Sequence, residues 1–347
     1  MKIKLGMQAL GLLLVLALAG TIFVPGVSAE SINEFDDSDS KFMESILLNT
    51  KLLDQYSELN IEEQMIVLTA IYDSTLTKEE QESIVSELEK IWNKTSKLSR
   101  SDQNSILANV IYITYKYYSP DETLYQLKWG GASTYYPDGV HNALAEIAGI
   151  KMEWDYPSGV HDTAQYLLNA HSKDPDDWGT AQMVEHYLDG APSFSNAPDK
   201  CAYYANEAKN QLNNNIYSES GWRCLSWSMH YMSDMSMPWH TQICFDPIQL
   251  ATHTLYEDYV NVNFLDPNYG FKNALNSVGN YDYYTIVNPA SSARSLASYS
   301  SSKYMGLQNK MSLYPTDWGE DSWVKSTTRS LLQEGMKYNM GLIEYST

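Results

Sequence analysis

Apolar residues recur three and four positions apart over residues 44–53, 61–71, 78–92 and 102–115, the spacing of one buried helix face. Thr77 followed by Glu80 fits a capping box opening the third of these segments. The same period returns over 141–150, 161–171, 200–213, 221–236, 247–260 and 325–343. No pair of alternating segments joined by a tight Asn-Gly turn interrupts it, so no hairpin is predicted. The Ser-rich stretch 291–302 is compatible with a helix or a loop. The expected fold class is all-α.

At the start of the chain the pattern is different. Lys2 and Lys4 precede an apolar run from Leu10 to Val24, Pro25-Gly26 breaks it, and Val27-Ser28-Ala29 offers small residues before Glu30. These are the parts of a secretory signal, which sets the expectation of a signal peptide over 1–29 and an extracellular product. No other stretch reads as a membrane span.

Beyond Ser119-Pro120 the composition changes. All seven His fall in the later part of the chain, at 141, 161, 171, 186, 230, 240 and 253, and Tyr and Trp become frequent. The expected organisation is therefore a small helical region over 30–128 without metal chemistry and a larger one over 129–347 that carries it. A net charge of −20 disfavours tight, non-specific binding to nucleic acid, and no stable nucleic-acid partner is expected. It leaves a phosphate substrate open, because bound cations can supply a positive field locally. Cys201, Cys224 and Cys244 are too few for a disulfide framework, and none stands in a CxxC spacing.

The densest chemistry lies between Leu225 and Tyr259. His230 and Asp234 are four residues apart, as are His253 and Glu257, and His240 lies between the two pairs. On helices each pair projects from one face. Imidazole and carboxylate in this combination suit zinc. Alone, either pair is as well read as a surface hydrogen bond; together, with three of the seven His in so short a stretch, they point to metal.

The segment LSWSMHYMSDMSMPWH and the segment HTLYEDYV resemble two helices of the bacterial zinc-dependent phospholipase C family, whose fold is shared by the single-strand nucleases. Glu185-His186-Tyr187-Leu188-Asp189 resembles the family's His-aromatic turn. The likeness runs weakly from Trp129 to about Tyr345 and does not reach 30–128. It implies three zinc ions: one held by His186, His230 and Asp234, one by His240, His253 and Glu257, and a third sharing Asp234 with an earlier His. His141 is preferred for that role over His161, which stands in a near-duplicate of its context. The resemblance also implies that the free amino group of Trp129 completes the third site after a processing protease cuts behind Lys128, which would make 30–128 the pro-domain of a zymogen. The candidate general base is Asp176, with Asp174 and Asp177 as its neighbouring alternatives.

The function so implied is a secreted hydrolase acting on phospholipid at a membrane or micelle surface, releasing diacylglycerol and a phosphorylated head group. The aromatic cage of choline-preferring relatives is not carried over, since its positions hold Ala132, Asp177 and Met183. A single-strand nuclease of the same three-zinc fold, and a secreted zinc-binding protein without activity, are the alternatives.

Overall fold

A computed structural model describes residues 43, 46–118, 139–152, 160–177, 185–189, 195–241, 246–313 and 317–347. Every regular element among them is helical, as the periodicity predicts. The chain divides into two compact units, Met1–Asp121 with Phe245–Ala251, and Glu122–Cys244 with Thr252–Thr347.

The first unit is built on α1 (Thr50–Tyr56), α2 (Ile61–Tyr72), α3 (Lys78–Trp92) and α4 (Arg100–Tyr118). The helix expected over 44–53 is divided: Asn49 leaves helical geometry and its side chain accepts from the Leu52 amide, so α1 starts afresh behind it. Reciprocal capping boxes open α2 (Asn60 with Glu63) and α3 (Thr77 with Glu80). The longest helix, α4, packs against the other three, and Leu53, Tyr56, Ile71, Leu88 and Ile111 are buried between them.

The second unit contains α5 (Val140–Met152), α6 (His161–His171), α7 (Ala197–Asn214), α8 (Glu219–Asp234), most of α9 (Pro247–Asn263), α10 (Phe271–Ser277), α11 (Pro289–Leu313) and α12 (Ser322–Ser346). Helix α8 is the axis. It packs on α5, α6, α7 and α12, and from Met229 to Asp234 every residue is buried. A helix buried all round must find partners for its polar side chains. Ser226 Oγ donates to the Leu168 carbonyl at 2.7 Å and Ser228 Oγ to the Cys201 carbonyl at 2.8 Å. Asn339 Nδ2, from α12, donates to Ser233 Oγ at 2.9 Å. Each contact fixes the rotation of α8, and so the direction in which His230 and Asp234 point.

Three differences from the sequence reading have local causes. Helix α8 ends at Asp234, before Pro238, and Pro238 opens a separate 3-10 turn, Pro238–Thr241, that carries His240. The Ser-rich stretch lies inside the 25-residue α11. The seven-residue α10 follows Gly270, whose backbone is left-handed at φ 70°. Residues 1–29, Trp129 and Cys244 lie outside the described residues, and with them the expected signal segment and the amino-terminal metal ligand. Cys201 and Cys224 are free thiols. No described helix is long and apolar enough to cross a membrane.

Candidate metal centre

Five short pieces of chain converge on Asp234. His141 is the second residue of α5, and Asp176 stands on a 3-10 turn, Asp174–Asp177. His186 lies on a short turn of its own, His240 on the turn after α8, and His253 and Glu257 one turn apart on α9. Every one of these side chains is buried except Asp176, which is 16% exposed and is the one carboxylate of the centre that opens towards solvent.

The two oxygens of Asp234 divide the imidazoles between them. Oδ2 lies 2.9 Å from His186 Nδ1 and 3.5 Å from His230 Nε2. Oδ1 lies 3.1 Å from His240 Nδ1 and 3.4 Å from His141 Nε2. Further along, His240 Nε2 faces His253 Nε2 at 3.1 Å, and His253 Nε2 is 2.9 Å from Glu257 Oε1. On the opposite side Asp176 Oδ1 is 3.5 Å from His230 Nε2 and 3.9 Å from His186 Nδ1.

Three donor groups result, each with its ligand atoms within 4.8 Å of one another: His186, His230 and Asp234; His240, His253 and Glu257; and His141, Asp176 and His230. Each is able to hold a metal ion. The first two are the sets implied by the resemblance. The third differs from the expected one: beside His141 it has Asp176, read from sequence as a base, and His230, where the resemblance implied Asp234 and Trp129. His171 is turned elsewhere, with Nδ1 2.7 Å from Asp174 Oδ2, and His161 opens α6.

The ring orientations are fixed from outside. His230 Nδ1 lies 2.6 Å from the Ser172 carbonyl. A carbonyl can only accept, so Nδ1 carries the proton and Nε2 presents its lone pair to the centre. His240 Nδ1 meets the Asp234 carboxylate in the same way, which leaves its Nε2 for His253 and Glu257. The turns that carry His186 and His240 are joined by a bond from the Leu188 amide to the His240 carbonyl at 2.9 Å, and Trp239 Nε1 donates to Thr252 Oγ1 at 3.1 Å on α9.

Electrostatics agree with this arrangement. Burial, helped by the neighbouring His141 ring, pushes the His230 imidazole down to about 3, so it is neutral in the folded chain. Burial opposes charge on Asp234, but the imidazoles of His230, His186 and His240 outweigh it and hold the carboxyl well below the usual carboxylate range. A neutral His230 imidazole beside an ionised, buried Asp234 carboxylate is in the protonation state metal binding requires. His141 Nδ1 is buried without a hydrogen-bond partner, so that ring is held through Nε2, 3.4 Å from Asp234 Oδ1, and by a stack on His230 with centroids 4.0 Å apart.

No protein-family model matches the chain, and no curated protein matches its sequence.

Proposed function

We propose that this protein is a metal-dependent phosphodiester hydrolase with a zinc cluster, and that it acts as a phospholipase C. One observation carries the reading: a fully buried carboxylate, Asp234, whose two oxygens serve separate groups of imidazoles, within an array of five His and three acids that contains no thiol. Such a carboxylate suits a bridge between ions, and imidazole with carboxylate suits zinc. The family resemblance of the segments around His186, His230 and His253 supports phosphodiester hydrolysis, and the acidic balance of the chain disfavours nucleic acid as the substrate.

His186, His230 and Asp234 would hold one ion, His240, His253 and Glu257 a second, and His141 with Asp234 a third, completed by the amino group of Trp129 after cleavage behind Lys128. Bound zinc supplies Lewis acidity towards phosphate oxygens and makes water a nucleophile near neutral pH. The protein's part is to place the proton acceptor. Asp176 Oδ1, solvent-facing and beside His230, would take a proton from the attacking water as its oxygen bonds to phosphorus. The bond from phosphorus to the glycerol oxygen would break, and that oxygen would take a proton from solvent to give diacylglycerol. The phosphorylated head group leaves with the new oxygen.

The test uses the purified, exported chain: zinc per chain by elemental analysis, its amino-terminal residue by sequencing, and hydrolysis of phosphatidylcholine vesicles and of single-stranded DNA in parallel. Diacylglycerol release that chelator abolishes and zinc restores is the expected result. A chain that takes up no zinc, or that cuts only DNA, overturns the phospholipase reading; a mature start at Glu30 overturns the pro-domain.

A further inference from the structure

The segment that follows α6 touches both edges of the His230 ring. The Ser172 carbonyl holds Nδ1 at 2.6 Å, and four residues later Asp176 Oδ1 faces Nε2 at 3.5 Å. Between them stands Asp174, whose side chain points away from the centre. Its Oδ2 accepts from Trp227 Nε1 at 3.0 Å and lies 2.7 Å from His171 Nδ1. Trp227 sits on α8 one turn before His230, and His171 ends α6. One carboxylate oxygen therefore ties the end of α6, the 3-10 turn and α8 together at the level of the ring that Asp176 faces.

Without that tie, the turn is short and half open. Asp174 is 27% and His171 21% exposed at the side chain, and the Asp176 amide donates to the Lys173 carbonyl at 2.9 Å. Hydrogen bonds to outer partners set the orientation of metal-facing groups, and the Asp174 tie to Trp227 and His171 is such a bond for this turn. The sequence offers three acids here, and geometry separates two of them: Asp176 faces the donors, and Asp174 faces His171 and Trp227.

We propose that Asp174 is a positioning residue, with Trp227 as its partner, that sets the Asp176 carboxylate against His141 and His230 and so supports the affinity of the ion beside His141. The proposal rests on the reading of this centre as a metal cluster. Removing Asp174 frees the turn to swing; it does not touch His240, His253 or Glu257, whose ion keeps its affinity.

The experiment is cobalt titration of the metal-stripped full chain, followed by visible absorption and checked by elemental analysis, for the unaltered protein, Asp174→Ala, Asp174→Asn and Trp227→Phe. Expected is a loss of about 10–100-fold in affinity for one ion per chain in Asp174→Ala, with the remaining ions unchanged. Asp174→Asn, which keeps one acceptor, falls between, and Trp227→Phe, which removes one donor, shows a weakening of a few-fold. If Asp174→Ala does not fold, Trp227→Phe carries the test, and affinity equal to the unaltered chain overturns the proposal. So does a folded Asp174→Ala that binds every ion as before, or one that loses all of them together. An unaltered chain that binds no cobalt or zinc instead defeats the metal-cluster reading on which the proposal stands.

Discussion

Asp234 Oδ2 and His186 Nδ1 lie 2.9 Å apart across a separation of 48 residues. The first stands at the end of the central helix and the second on a short turn, so the contact forms only when both elements are in place. The other oxygen of the same carboxylate engages His240 and His141, which places Asp234 between two sets of imidazoles.

Asp234→Ala is therefore expected to lower metal content more than any other single substitution, leaving at most the ion of His240, His253 and Glu257. Because Asp234 also holds His240 Nδ1 at 3.1 Å, that last ion should bind about 10-fold or more weakly as well. Elemental analysis after equilibrium dialysis measures both effects. Retention of the full complement of ions would remove the bridging role.

His253→Ala should behave in the opposite way. His253 belongs to a single donor group, so one ion is lost while those at His186, His230 and Asp234 remain. Uniform loss at all groups would mean that they are not separate sites.

Much of this was legible in the sequence because helices convert spacing into direction. His230 with Asp234 and His253 with Glu257 needed only the four-residue rule. His186 and Asp176 sit on short turns, which have no period to read; they came through resemblance to a family, and their distances from Asp234 and His230 needed the fold. The Ser-rich part of α11, which composition left open between helix and loop, is helical. Ala293, Leu296, Ala297, Ser300 and Leu307 keep the helical interval and are buried, while Ser295, Ser301 and Ser302 lie on the outer face. The interruption at Asn49 was hidden because apolar residues continue in step on both sides of it.

Chelation should lower thermal stability. An ion present at a hundred times its dissociation constant stabilises the folded state by about 2.7 kcal/mol, which for a chain of this size is about 3–4 °C. Thermal scans with and without chelator, followed by added zinc, check this. An unchanged midpoint would argue that no ion is held by the folded chain.

Asp176→Asn is expected to reduce hydrolysis of the cleaved substrate by about 100-fold or more, since an amide cannot accept the proton from water. The ion at His240, His253 and Glu257 should stay. Turnover close to that of the unaltered protein would pass the role of base to another group.

Gly341→Ala tests the packing of α12. A methyl group there would stand 2.1 Å from the Tyr284 carbonyl oxygen, so backbone must move, at a cost of about 1–3 kcal/mol. Chemical denaturation of the two proteins compares them directly. Equal stability would show that the Tyr284 segment yields without strain.

The centre gathers its donors from α5, two short turns, α8, the turn behind it and α9, in that order along the chain. During synthesis His141 leaves the ribosome first and Glu257 last, so the group of His240, His253 and Glu257 cannot close until α9 has emerged. A nascent chain stalled short of α9 would offer loose imidazoles to whatever cation is at hand. Under the proposed cluster, the order of translation leaves the His240, His253 and Glu257 group to close last.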